Sequence, residues 1–125
     1  MFQADLLNDK RILITGGGTG LGKSMGRRAL ELGARLVICG RREAVLAETA
    51  AEFDRDFAGR IAWHGCDIRD AGAIEAMLDA VWAEGPLDTL INNAAGNFLA
   101  RTETLSPRAL DAVLGIVLHG SAYMT

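Results

Sequence analysis

The sequence predicts an α/β fold, a doubly wound parallel sheet with strands in the order 3-2-1-4, on three observations. Short apolar runs alternate four times with longer segments of helical period. The runs are continuously apolar rather than alternating, as strands covered on both faces require. Right-handed crossovers on a parallel sheet then bring the first four strands into that order, with a switch point between strands 1 and 4 where a ligand crevice opens.

The first run is RILIT (11–15), followed by a helix over 20–32 in which Leu21, Met25, Ala29 and Leu32 share one face and which Gly33 closes. RLVIC (35–39) leads to a helix over 42–57 whose inward stripe is Val45, Leu46, Thr49, Ala50 and Phe53. RIAWHGC (60–66) precedes a helix over 70–83, capped by Asp70 and buried through Ile74, Met77, Leu78, Val81 and Trp82. LDTLIN (87–92) is the fourth strand. The helix over 106–124 opens with Ser106 as N-cap and Pro107 in the first helical position. Its stripe of Leu110, Val113, Leu114, Val117 and Leu118 leaves Ile116 and Tyr123 outside, more apolar surface than one sheet contact needs. A doubly wound sheet continues past a fourth strand, so residues 1–125 read as the N-terminal part of a single domain cut short after this helix.

Half of the residues are apolar, and the net charge of −3 comes with both signs interspersed. Without a basic patch, neither nucleic acid nor an anionic membrane surface is an expected partner. The N-terminus lacks the pattern of a secretory signal, and no apolar run approaches the ~18 residues of a membrane span. A cytoplasmic location is expected. Cys39 and Cys66 read as buried thiols, since two cysteines make no disulfide framework. His64 and Cys66 share a strand face, but two ligands do not close a zinc site, so no metal is expected.

The stretch ITGGGTGLGK (14–23) places five glycines in the seven positions from Gly16 to Gly22, between the first strand and the first helix. Such a turn lets the backbone approach a phosphate, and the helix N-terminus offers it unpaired N–H groups and a positive dipole end. The spacing is T-G-x-x-x-G-x-G, carried by Thr15, Gly16, Gly20 and Gly22. Cys66-Asp67-Ile68 follows the third strand and Asn92-Asn93-Ala94 the fourth. In that order, each at a strand's C-terminal end, these segments resemble the short-chain dehydrogenase/reductase family, over essentially the whole chain. Within the family, ITGGGTGLGK, INNAAGNF and LSPRALDAVLGIVLHGSAYMT look most like the 2,4-dienoyl-CoA reductases and their bacterial relatives. Ala95 stands where most members have glycine, with Gly96, Asn97 and Phe98 after it.

The resemblance implies a Rossmann-type dinucleotide site. The turn of Thr15, Gly16, Gly18, Thr19, Gly20, Leu21 and Gly22 would hold the pyrophosphate. Asp67 and the Ile68 backbone would meet the adenine, and Asn93 and Ala94, with Ala95 beside them, would border the ribose. Read alone, Asp67 equally suits a turn before Asp70, and the two asparagines suit turn formers. Where an NAD enzyme carries an acid about 20 residues past the glycines, this chain has Gly40, then Arg41 and Arg42, and no carboxylate before Glu43. Guanidinium groups bind a 2′-phosphate through forked, charge-assisted hydrogen bonds, so NADP(H) is expected over NAD(H). Two arginines at a helix start otherwise oppose its dipole.

The family's Tyr-x-x-x-Lys and serine, or the serine that dienoyl-CoA reductases carry in the tyrosine place, fall beyond residue 125. Tyr123 reads as helix packing. The family's helix asparagine maps onto His119, whose imidazole can also donate and accept in a proton relay. The alternative is a helix-face histidine without that role. The expected function is the NADP(H)-binding half of an oxidoreductase that moves a hydride to an unsaturated fatty acyl-CoA, a small-molecule partner. The alternatives are a generic 3-oxoacyl or alcohol reductase and a non-catalytic nucleotide-binding module. By the same resemblance the last helix serves a dimer or tetramer interface when the protein is complete, and the 125 residues alone are expected to be inactive.

Overall fold

Four parallel strands run in the order β3-β2-β1-β4, as β1 (Arg11–Thr15), β2 (Arg35–Gly40), β3 (Ile61–Gly65) and β4 (Thr89–Ile91). The computed structural model describes residues 2–97 and 99–125. Met1 and Phe98 lie outside the described residues, Phe98 being the last residue of the INNAAGNF resemblance. Helices α1 (Gly20–Glu31), α2 (Glu43–Asp56) and α3 (Ala71–Ala83) follow the first three strands. After β4 come a single 3-10 turn (Thr102–Thr104), α4 (Pro107–Leu114), a π-helical stretch (Gly115–Gly120) and α5 (Ser121–Met124).

The two-sided burial of the central strands explains their apolar runs. Along β1 the side chains of Ile12 and Ile14 enter one core layer with Leu36, Ile38, Leu30 and Phe53, beneath α1 and α2. Leu13 enters the opposite layer with Val37, Ile74, Met77 and Val81, beneath α3. Alternate residues thus serve different layers, and none can be polar without a partner. The polar residues of the strand, Arg11 and Thr15, are satisfied by the bonds described below. Each central strand pairs in register on both sides, with Leu13 opposite Val37 of β2 and Leu90 of β4.

The edges behave differently. On β3 the Trp63 side chain is exposed and Ile61 half-buried, because nothing covers the outer side of an edge strand. Strand β4 is shorter than LDTLIN; Asp88 lies just before it, its backbone N–H still donating to the Arg11 carbonyl at 2.9 Å. The Asp88 carboxylate accepts the backbone N–H of Arg11 at 2.9 Å and the Lys10 ammonium at 3.0 Å. The Arg11 guanidinium meanwhile caps the end of α3, donating to the carbonyls of Val81 (2.6 Å) and Gly85 (2.5 Å) and to Glu84.

The helices bear out the caps, with Asp70 accepting from the Ala73 N–H at 3.1 Å and Ser106 from the Ala109 N–H at 3.2 Å. Three facial assignments need correction. Leu21 is 70% exposed, and α1 packs instead through Gly22, Gly26, Ala29 and Leu30, since Gly26 lets the helix approach Leu36 closely. Trp82 is half exposed, with α3 buried through Ile74, Met77 and Val81. In the last helical segment Ile116 faces the core, whereas Leu110, Val117 and Leu118 face solvent. That segment is not one α-helix. It takes π geometry between Gly115 and Gly120, where it crosses the loop after β3, and a Cβ at Gly120 would lie 2.7 Å from Ile68 Cδ1 and 3.0 Å from the Ile68 carbonyl oxygen.

Candidate functional site

A cavity of about 380 Å³ opens at the carboxyl ends of the strands, at the switch point between β1 and β4. One wall is the glycine-rich turn, contributing Gly16, Gly18, Thr19, Gly20 and Leu21. The end of β2 and the start of α2 supply Cys39, Gly40, Arg41, Arg42, Val45 and Leu46. Cys66, Asp67 and Ile68 come from the loop after β3, and Asn93, Ala94 and Ala95 from the segment after β4. Ile116 closes the remaining side from the π-helical stretch.

Two glycines of the turn need their residue type for different reasons. Gly16 takes φ +67°, and a Cβ there would lie 3.1 Å from both the Ala94 Cα and the Asn93 Nδ2. Gly20 takes φ +55° with nothing of the protein within 4 Å of a Cβ, so the space beside it belongs to the cavity. A close-approach cradle at the N-terminal end of α1 is what a phosphate group requires. The dinucleotide pyrophosphate fits it.

Thr15 and Gly22 lie behind this wall rather than on it. Thr15 is 1% exposed, and its hydroxyl oxygen accepts the backbone N–H groups of Asn93 at 3.0 Å and Ala94 at 2.9 Å. The Asn93 side-chain amide returns bonds to the carbonyls of Thr15 (3.0 Å) and Gly16 (3.3 Å). A Cβ on Gly22 would collide with the Gly16 carbonyl oxygen and lie 2.6 Å from Asn93 Nδ2. The three residues bolt the segment after β4 to the turn.

Asp67 is gripped by Arg69. The guanidinium donates to both carboxylate oxygens, at 2.5 Å to Oδ2 and 3.0 Å to Oδ1, and the Arg69 N–H adds a bond of 3.0 Å to Oδ1. This pairing holds the Asp67 carboxyl down at about 2. Burial pushes the Cys39 thiol up to about 12 and raises Cys66 as well, so both line the cavity as neutral thiols. Arg41 and Arg42 stand exposed on the rim and enter no ion pair among the described residues. Glu43 packs against Gly65 at the end of β3 and does not line the cavity.

His119 is exposed and does not line the cavity. Its ring stacks loosely on Tyr123, at 6.2 Å between centroids. The structure does not bring it to the residues that the cavity assembles. Ile116, absent from the sequence-based set, occupies the cavity side of that stretch. The described residues contain no cluster of three metal-ligating side chains.

The sequence model of the short chain dehydrogenase family matches residues 10–125. The chain belongs to that family. Among curated members it is 42% identical, over 118 residues, to the probable 2,4-dienoyl-CoA reductase, (2E)-enoyl-CoA-producing, of Bacillus subtilis (strain 168), covering 94% of this chain and 46% of that one. Two solved structures, the first a short chain dehydrogenase, superpose on it. One, from Bacillus anthracis, has a TM-score of 0.88 at 39% identity and covers 94% of this chain and 47% of its own. The other, the Brucella melitensis 3-ketoacyl-(acyl-carrier-protein) reductase complexed with NADH, gives 0.87 at 30% identity, covering 94% and 48%. The chain spans about half the length of the relatives it matches. Its parallel sheet runs in the order 3-2-1-4.

Proposed function

We propose that residues 1–125 are the NADP(H)-binding half of a short chain reductase acting on unsaturated fatty acyl-CoA thioesters of the 2,4-dienoyl or enoyl type. The observation that carries the cofactor part is the rim of the cavity. Two unpaired guanidinium groups, Arg41 and Arg42, stand where an NAD-preferring site presents an acid, and the nearest carboxylate in sequence, Glu43, lies outside the cavity. When bound, the nicotinamide cofactor supplies the hydride. The chain's own residues orient it. Gly16, Gly18, Thr19 and Gly20 cradle the pyrophosphate at the start of α1, while Asp67, Ile68 and the segment Asn93–Ala95 receive the adenosine half. Ionised throughout the neutral range, Asp67 can only accept, which suits an exocyclic amine.

The acyl-CoA part rests on the likeness to the Bacillus subtilis protein and on the INNAAGNF segment. The likeness to the Brucella melitensis protein supports a second reading, reduction of a 3-oxoacyl group. Steady-state assays of the protein expressed from its full reading frame separate the two, with NADPH and NADH each tested against a 2,4-dienoyl-CoA and a 3-oxoacyl thioester. NADPH-dependent loss of the dienoyl absorbance supports the proposal, and turnover of the 3-oxoacyl substrate alone replaces it with the second reading. We further assign the exposed face of Leu110, Val117 and Leu118 to a homo-oligomer contact, and the protein to the cytoplasm. No helix among the described residues is long and apolar enough to cross a membrane.

A further inference from the structure

Thr49 lies in the middle of α2, away from the cavity lining, and is 2% exposed. A buried threonine within a helix ordinarily turns its hydroxyl to its own helix's carbonyls. Here it donates instead to the Gly18 carbonyl at 2.8 Å, across to the glycine-rich turn. The turn is seated on α2 at the same point, since a Cβ on Gly18 would lie 3.2 Å from Leu46 Cδ2 and 3.3 Å from Val45 Cγ1.

The bond fixes more than a position. The 18–19 peptide is planar and trans, so its carbonyl oxygen and the Thr19 N–H point in opposite directions. Drawing the Gly18 oxygen into α2 therefore turns the Thr19 N–H away from α2. Both residues line the cavity, and the N–H groups of Gly18, Thr19 and Gly20 find no backbone acceptor among the described residues. Without the hydroxyl, the peptide plane could rotate and present a carbonyl oxygen where an anion should bind. Glycine at 18 makes such a rotation easy.

We propose that Thr49 is a positioning residue for anion binding: by holding the Gly18 carbonyl it aims the Thr19 N–H at the dinucleotide pyrophosphate. The inference rests on the nucleotide-binding reading of the cavity. It makes Thr49 specific for the phosphate-bridged part of the ligand, and neutral toward an adenosine carrying only a 2′-phosphate.

The test uses the protein from its full reading frame, with NADPH and adenosine 2′-monophosphate as probes in fluorescence and calorimetric titrations. Thr49→Val keeps the shape and removes the donor, and Thr49→Ser keeps the donor. The Val variant should bind NADPH about tenfold or more weakly, as loss of one steered hydrogen bond to a charged group predicts. It should bind adenosine 2′-monophosphate as the wild type does, and the Ser variant should recover most of the NADPH affinity. NADPH binding by the Val variant at wild-type strength overturns the inference. So does an equal loss for both probes, which would make Thr49 a packing residue only. A wild type that binds neither probe overturns the nucleotide reading itself, and this inference with it.

Discussion

Replacing Thr15 by valine tests how the cleft is assembled. The hydroxyl oxygen accepts two backbone N–H groups, from Asn93 at 3.0 Å and Ala94 at 2.9 Å, at a residue 1% exposed. Valine matches the shape but accepts nothing. A buried donor left without an acceptor costs ~1–3 kcal/mol. Asn93 and Ala94 are half-buried, so each falls in the lower part of that range, and the pair should cost about 2–4 kcal/mol. Nucleotide affinity should fall with stability, because Asn93, Ala94 and Ala95 line the cavity. Urea unfolding of the protein from its full reading frame, with Thr15→Ser as the control that restores the acceptor, measures the first effect, and an NADPH titration the second. A valine variant within about 0.5 kcal/mol of the wild type, the range of an indifferent surface substitution, would refute the view that this hydroxyl holds the segment after β4 to the turn.

The double substitution Arg41→Ala with Arg42→Ala should weaken NADPH by roughly ten- to a hundredfold, from the ~1.5–3 kcal/mol of a charge-assisted contact, while leaving NADH nearly unchanged; equal losses in parallel titrations would remove the 2′-phosphate assignment. Gly20→Val puts a branched side chain at φ +55° and into the cavity, so it should abolish NADPH binding in a protein whose circular dichroism is unaltered. The native pKa of Asp67, about 2, lies below the ordinary value near 4. Its contribution to stability is thus fully present above pH ~4 and lost as pH falls toward 2; Arg69→Met should raise that pKa, as carboxyl-carbon NMR titration would show, and should flatten the acid limb of a stability profile. The exposed side chains of Leu110, Val117 and Leu118 should disappear from solvent in a dimer or tetramer, so Leu118→Glu should shift the mass seen by light scattering toward the monomer.

Much of the fold is legible because β1 and β2 are buried on both faces. Ile12, Leu13 and Ile14 of RILIT point alternately into two apolar layers, so the run declares itself without any periodicity to decipher. The caps are equally local: Asp70 and Ser106 bond N–H groups three residues ahead, a relation contained in the sequence. What escapes is whatever depends on a distant neighbour. Leu21 belongs to a helical stripe by spacing, yet glycines at 22 and 26 bring α1 so close to the sheet that the packed face rotates onto them. The π geometry between Gly115 and Gly120 occurs where Gly120 closely approaches Ile68, about 50 residues earlier, and no pattern within LGIVLHG announces it.

The site divides along the same line. Its glycines, Asp67 and Asn93 stand where the motif order puts them, because a doubly wound sheet carries every strand's C-terminal end to one edge. Spacing alone cannot separate a residue that faces the ligand from one that holds its neighbour. Thr15 and Gly20 belong to the same motif, but one is sealed behind the wall and the other opens onto it. The converse holds for Thr49 and Arg69, which no ligand motif includes and which reach Gly18 and Asp67 through side chains. A polar residue inside an otherwise apolar helical stripe was the available signal for Thr49, since a buried hydroxyl must find a partner outside the core. Its partner proves to be the backbone of the turn. On the π-helical stretch His119 faces solvent, and Ile116, three residues before it, takes the cavity side. A residue's distance along the chain from a motif therefore says little about its part in the site until the crossing of α2 and of the π-helical stretch over the strand ends is known, with Gly18 close against Leu46 and Gly120 close against Ile68.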